Sequence, residues 1–222
     1  MEIDRKNIEM IKENYPAFDI RSGDDEYVIV GEIFLNHVYK EVRMTGKFII
    51  EIVVSNKFPI VIPIVREISN GIAANYPHKN IDGELCLASE IELKMFFAQS
   101  SDICLFLEKY IIPYLYTYCY YEEYGVYPYG ERSHGMQGNL EYLKDLLEVD
   151  DWGQVFDIMM FVIQSSYRGH LECPCGSGER IRNCHGTVLK QLMNANVKDD
   201  FIKIMYQIKR MYDRKGKNGK HN

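Results

Sequence analysis

Apolar positions recur along this chain with two different periods. Ile8, Ile11 and Tyr15 fall at helical spacing behind a capping Asp4, and Pro16 closes that segment. Residues 19–26 are polar and read as a loop. From Tyr27 to Leu35 the period changes to two. Tyr27, Ile29, Ile33 and Leu35 share one parity, the pattern of a strand with one buried face. Phe48–Val54 is a second strand with Glu51 at its middle, and Phe58–Ile68 a third, interrupted by Pro59 and Pro63. Proline cannot donate to a ladder, so the third strand belongs at an edge or is irregular near both prolines. Short connections, such as the turn Ser55-Asn56-Lys57, predict an antiparallel meander.

Helical spacing returns at Ile103, with Ser101 or Asp102 as cap. Leu105, Leu107, Tyr110, Ile111, Tyr114 and Leu115 give a broad apolar surface, which Pro113 bends or divides. Cys104 and Cys119 lie in this apolar context and read as buried small residues. Residues 120–138 carry Tyr120, Tyr121, Tyr124, Tyr127 and Tyr129 among glycines and Pro128. They are expected to form a long ordered loop. It is either an aromatic flap on the core or a lid beside the active site, with Glu131, Arg132 and His134 as its polar groups. Leu140, Leu143, Leu146 and Leu147 mark a helix. Asp151 and Gln154 resemble a capping box before the helical face of Val155, Ile158, Met159, Val162 and Ile163. Phe201, Ile204, Met205, Ile208 and Met211 mark a final amphipathic helix.

Composition narrows the picture in three ways. The net charge of −6 over 222 residues gives no general case for nucleic-acid binding, although seven Lys or Arg follow from Lys203 onward against the single acid Asp213. No run is long and apolar enough to span a bilayer, so no membrane partner is expected. The start of the chain has no apolar signal core. A cytoplasmic location is therefore expected, where thiols stay reduced. The six cysteines then read as ligands, nucleophiles or buried apolar groups rather than disulfides.

Four of the candidate ligands lie together in Cys173-Pro-Cys175-Gly-Ser-Gly-Glu-Arg-Ile-Arg-Asn-Cys184-His185. Zinc favours four tetrahedral thiolate or imidazole donors. Cys173 and Cys175 supply one half of such a site and Cys184 and His185 the other, with Gly176 and Gly178 permitting the tight backbone between them. A full set of protein ligands leaves no open position, so the expected zinc is structural. The segment resembles the SEC-C zinc-binding motif, Cys-x-Cys-Gly-Ser-Gly followed by a terminal Cys-Cys or Cys-His pair.

A different chemistry is concentrated in Tyr76-Pro-His-Lys-Asn-Ile-Asp-Gly-Glu-Leu-Cys-Leu-Ala-Ser89. The thiol of Cys86 can attack a carbonyl and hold an acyl group as a reactive thioester. The amide of Asn80 can donate to the tetrahedral oxyanion. His78 can order the loop or assist proton transfer. A buried structural cysteine and a loop-packing histidine remain the alternatives for Cys86 and His78.

The order of helix, three-strand meander, Asn-containing loop, Gly83-Glu-Leu-Cys86-Leu87 and helix resembles the ubiquitin-conjugating enzymes over residues 1–120. His78-Lys79-Asn80 stands where that family has His-Pro-Asn, and Cys86 where it has its thioester cysteine. The Asn-to-Cys spacing is shorter than in eukaryotic members. Together with Pro128-Tyr-Gly-Glu-Arg-Ser-His-Gly135, the departures resemble the bacterial ubiquitin-conjugating-like proteins of CBASS anti-phage systems. The resemblance implies an α+β ubiquitin-conjugating-like fold with a small zinc appendage. It implies an acyltransferase with Cys86, Asn80 and His78 as catalytic residues. It also implies a cGAS-like nucleotidyltransferase as partner, with Asp82 or Asp102 assisting the attacking amine. The expected organisation is 1–138 conjugating-like, 139–170 helical extension, 171–187 zinc motif, 188–213 last helix and 214–222 disordered basic tail. A non-catalytic scaffold of the same fold is the alternative function. A nucleic-acid-associated zinc protein is a third reading, disfavoured by the acidic charge, and no oligomeric state is assigned.

Overall fold

The computed structural model describes residues 5–130 and 133–218. Asp4, Glu131, Arg132 and the last four residues of the basic tail lie outside the described residues. The chain is mixed α+β. It divides into two compact units, Met1–Ala88 with Gln99–Arg132, and Ser89–Ala98 with Ser133–Asn222.

The first unit is built on a four-stranded antiparallel sheet in the order β1-β2-β3-β4. Its strands are β1 (Asp19–Ser22), β2 (Glu26–Tyr39), β3 (Val42–Ser55) and β4 (Ile64–Glu67). Alternation along β2 and β3 is the reason they form. Ile29, Ile33 and Leu35 on one, and Phe48, Ile50, Ile52 and Val54 on the other, are all buried. Each such side chain contributes about 1.5–3 kcal/mol when fully buried. The pairing runs unbroken from Glu26↔Ser55 to Tyr39↔Val42. The two strands thus reach further toward each other than the apolar pattern marks, because the outer half of the hairpin has polar residues on its exposed face.

Two expectations about the sheet are corrected. Residues 19–22 of the polar loop are β1, which lies at one edge and needs no apolar pattern to pair with β2. The third strand is only Ile64–Glu67, since the chain from Asn56 turns tightly and cannot join the ladder until Pro63 is passed. It does lie at the other edge.

Behind the sheet run α1 (Arg5–Asn14) and a long helical segment. The segment comprises α3 (Ile103–Phe106), a π-helical turn (Leu107–Ile111) and α4 (Ile112–Tyr124). Asp102 is the cap, its Oδ1 accepting from the Leu105 N–H at 3.0 Å. Asn7 of α1 caps the same helix, accepting from the Ile103 N–H at 2.9 Å. Pro113 divides the helix as expected: it stands in the first turn of α4, and the π-turn absorbs the missing donor just before it. Tyr120, Tyr121 and Tyr124 belong to α4, so the tyrosine-rich stretch is a loop only from Gly125 onward.

The second unit is helical: α2 (Glu90–Phe97), α5 (Gly135–Leu147), α6 (Trp152–Gln164), α7 (Gly186–Asn194) and α8 (Lys198–Asn218). Helix α2 escaped the periodicity because it is apolar on nearly every side, with Ile91, Leu93, Met95, Phe96 and Phe97 all buried. Ser89 caps it, accepting from the Glu92 N–H at 3.3 Å. The single last helix expected over 188–213 is two, α7 and α8, and helix continues to Asn218 into the tail expected to be disordered. The expected capping box is absent. Asp151 makes no side-chain cap bond, and Gln154 Nε2 instead donates to the Cys175 carbonyl at 2.8 Å. Among the described residues no helix is long and apolar enough to cross a membrane.

The β2–β3 turn is made by Lys40 and Glu41 at φ 45° and 68°, a conformation that neither residue type favours. The double substitution Lys40→Asn with Glu41→Gly is expected to stabilise the protein by about 1 kcal/mol. Chemical denaturation checks it, and an unchanged or lower midpoint contradicts it.

Candidate functional site

The Cys86 loop is a small hairpin that extends the sheet. Its arms bridge at Lys79↔Leu85, and the second arm bridges to β4 at Arg66↔Glu84. The Leu85 N–H donates to the Val65 carbonyl at 2.8 Å. Within the hairpin, Cys86 N–H donates to the His78 carbonyl and Asn80 N–H to the Glu84 carbonyl, both at 2.8 Å. The turn is closed by Gly83 N–H on the Asn80 carbonyl at 2.9 Å, with Gly83 at φ 84°. Arg66 ties the outside together, its guanidinium reaching Glu84 at 3.1 Å and Glu51 of β3 at 3.4 Å.

This register brings two of the three sequence-predicted residues, His78 and Cys86, together. His78 and Cys86 are direct cross-strand partners, and Asn80 follows His78 by two. A ring nitrogen of His78 lies within 4.8 Å of the Cys86 Sγ. Asn80 is the diagonal neighbour of Cys86, a relation that spans about 7–8 Å between Cα atoms. Asn80 is exposed, and His78 and Cys86 are half-buried. Burial pushes the Cys86 thiol up from its ordinary value. Lys79 falls on the opposite side of the ribbon and donates from Nζ to the Ile72 carbonyl at 3.0 Å, so it is no cation for the thiol. Asp82 uses Oδ1 to accept the Glu84 N–H at 3.1 Å, and Asp102 is the cap of α3.

The Cys86 and Leu87 N–H groups are already used. Cys86 N–H serves His78, and Leu87 N–H serves the Leu85 carbonyl at 3.1 Å.

Several residues around the loop have no signal in the loop's own sequence. Tyr114, Tyr118 and Tyr121 lie at helical spacing on α4, and their rings meet the buried Tyr76 ring at 6.0, 5.1 and 5.6 Å. Tyr114 donates its hydroxyl proton to the His78 carbonyl at 2.9 Å. The Tyr118 hydroxyl accepts from the Ala73 N–H at 3.2 Å. Beyond Gly125 the chain turns back, so that Tyr127 stacks on Tyr121 at 4.8 Å and stands edge-on to His78 at 5.1 Å. The buried Glu67 holds the start of the loop, accepting from the Ser69 N–H at 2.8 Å and the Ile72 N–H at 3.3 Å. The stripe on α4 was open to detection from its spacing of four and three.

In the second unit the four Cys and His residues converge. The ligand atoms of Cys173, Cys175, Cys184 and His185 lie within 4.8 Å of one another and can hold a metal ion. Cys175 and Cys184 Sγ are 3.6 Å apart. His185 Nδ1 is 3.3 Å from Cys173 Sγ and 3.1 Å from Cys184 Sγ. A tetrahedral ion with bonds of about 2.0 Å to nitrogen and 2.3 Å to sulfur requires ligand separations of roughly 3.5–3.8 Å, so the donors fit with a slight expansion. Gly176 and Gly178, at φ 76° each, make the knuckle that joins the two pairs of donors. Leu147 at the end of α5 orients the imidazole: His185 Nε2 is 2.8 Å from its carbonyl, which assigns that nitrogen as the N–H donor and leaves Nδ1 for the metal. Cys173 and Cys175 are buried with Ile181, Leu189 and Val155 in the helical core. Of the remaining cysteines, Cys104 is buried, which pushes its thiol up to about 11, and burial likewise raises the half-buried Cys119.

No protein-family model, curated protein or solved structure matches the chain.

Cys175→Ser is expected to lose most of the bound metal and to destabilise the helical unit, read by elemental analysis and thermal unfolding. Equal metal content would remove Cys175 from the ligand set. The Tyr76 hydroxyl is buried without a hydrogen-bond partner among the described residues. Burying a polar group unpaired costs about 1–3 kcal/mol, so Tyr76→Phe is expected to raise stability by about 1 kcal/mol. A loss of similar size in denaturant titration would show that the hydroxyl is satisfied.

Proposed function

We propose that this chain is a ubiquitin-conjugating-like acyltransferase of the bacterial anti-phage type, with Cys86 as its thioester residue. The observation that carries the reading is the hairpin register, which pairs His78 with Cys86 and sets Asn80 at the diagonal position. The order of sheet, thiol loop and helix is the one expected of the conjugating fold, and pairing with β4 gives the loop a rigid base.

The chemistry follows from that register. The Cys86 thiolate attacks an already activated carboxyl terminus of a partner protein. The carbon–sulfur bond forms as the partner's leaving group departs and takes up a proton. An amine then attacks the thioester; the carbon–nitrogen bond forms as the carbon–sulfur bond breaks, and the amine's proton passes to the departing thiolate. In both steps the carbonyl oxygen becomes an oxyanion. With the Cys86 and Leu87 N–H groups occupied, the Asn80 amide is the donor that serves it. His78 orders the loop through its carbonyl and lies close enough to the thiol to relay a proton. The carboxyl terminus is proposed to belong to a cGAS-like nucleotidyltransferase, whose signalling the adduct would control. The metal held by Cys173, Cys175, Cys184 and His185 is proposed to be zinc. With four protein donors it has a structural role, fixing the knuckle against the helices.

One observation favours a second reading, a non-catalytic scaffold of the same fold. Burial raises the Cys86 thiol, and Lys79 points away from it. A transthiolating cysteine tolerates a near-normal value, so the raised thiol slows the reaction without forbidding it.

A nucleotidyltransferase with an activated C-terminus, mixed with this protein, is expected to give a thiol-sensitive higher-mass adduct on a non-reducing gel. Cys86→Ala is expected to abolish it. Asn80→Ala is expected to form the adduct but discharge it to an amine about 100-fold more slowly. A band of equal strength in Cys86→Ala, or no band in any form, leaves the scaffold.

A further inference from the structure

The His78 carbonyl accepts two hydrogen bonds. One comes from the Cys86 N–H at 2.8 Å and the other from the Tyr114 hydroxyl at 2.9 Å. One oxygen thus joins the backbone of the candidate nucleophile to helix α4. We propose that Tyr114 is a positioning residue for Cys86, holding the thiol hairpin in its reactive geometry through the His78 carbonyl. The proposal rests on the transfer reading of Cys86 given above and names a residue that acts on that site from outside the loop.

Three observations support it. Tyr114 is buried, and its ring stands perpendicular to that of Tyr76, so the hydroxyl has little freedom to leave its acceptor. Burial raises the phenol far above its ordinary value, with Tyr76 and Cys86 adding to the effect, so it stays a protonated donor. The other ties of the loop do not duplicate the bond. Lys79 and Tyr118 hold the approach at Ile72 and Ala73, and Leu85 and Glu84 hold the far arm to β4. Tyr114 grips the arm at the residue paired with Cys86.

The hydroxyl is removed, with the ring kept, by Tyr114→Phe. Two readouts are expected to move in opposite directions. Release of a preformed thioester to an amine is expected to fall about tenfold in rate, with the concentration dependence on the amine unchanged, because a small misplacement of the thioester carbonyl relative to the attacking amine is costly in rate and not in binding. Alkylation of Cys86 by iodoacetamide, followed on the Cys86 peptide by mass spectrometry, is expected to rise severalfold as the hairpin loosens. Amide exchange is expected to increase over 78–88 and to stay unchanged over β2 and β3. Unchanged alkylation and local exchange in Tyr114→Phe would overturn the proposal. So would exchange that rises across the whole first unit, since that is a loss of stability rather than of position. If wild type forms no thioester, the transfer reading fails, while alkylation and exchange still decide whether Tyr114 anchors the hairpin.

Discussion

A strand at the edge of a sheet leaves a row of backbone groups in need of partners, and β4 is such a strand. Only four residues long, it is covered by the second arm of the Cys86 hairpin, through the bond from Leu85 to Val65 and the Arg66–Glu84 pair. Edge strands are commonly blunted by covering segments. Here the covering segment carries the one half-buried thiol of the loop. The same pairing rule that closes the edge sets the register of the hairpin, and the register sets which side chains accompany Cys86. Position of the candidate site is therefore a consequence of backbone hydrogen bonding.

Helix α4 shows how one composition bias serves two packing problems. Tyr114, Tyr118 and Tyr121 face the thiol loop. Tyr116, Tyr120 and Tyr124 follow a second stripe, in which Tyr116 meets Tyr39 and Tyr129, and Tyr120 meets Tyr124. Tyrosine suits both places, since its ring fills space and its hydroxyl can reach a backbone group at the end of the contact. Tyr116 uses that reach to donate to the Val42 carbonyl at 3.1 Å, beside the β2–β3 turn. The tyrosine-rich stretch is thus mainly a helix face, and the part that meets the loop is Tyr121 and Tyr127.

In the second unit a cluster of cysteine and histidine donors and an ion pair hold helices that have few alternatives. Lys94 of α2 reaches both oxygens of the buried Asp200 of α8, at 2.8 and 2.7 Å. A buried pair of this kind gains little over apolar packing but is costly to break from one side. It ties α2 to a helix more than a hundred residues later. The cluster is tied in the same manner, with Gln154 on the Cys175 carbonyl and His185 on the Leu147 carbonyl. The donors of the knuckle are local in sequence. The groups that orient them are not.

By itself the sequence determined what depends on neighbours along the chain. Period-two alternation in 27–35 and 48–54 placed the central strands, prolines sent the last strand to an edge, and the spacing of Cys173, Cys175, Cys184 and His185 marked a cluster whose donors do converge. It also drew attention to Cys86, Asn80 and His78, since thiol, amide and imidazole stand within nine residues. Tertiary structure decided what depends on partners distant in sequence. Polar β1 is a strand because β2 offers its edge, and apolar α2 is a helix with no exposed stripe to announce it. Gln154 leaves its capping box because the knuckle presents a carbonyl. Tyr114 meets His78 across a separation of 36 residues, a contact that the helical period of α4 allows but only the folded sheet can select.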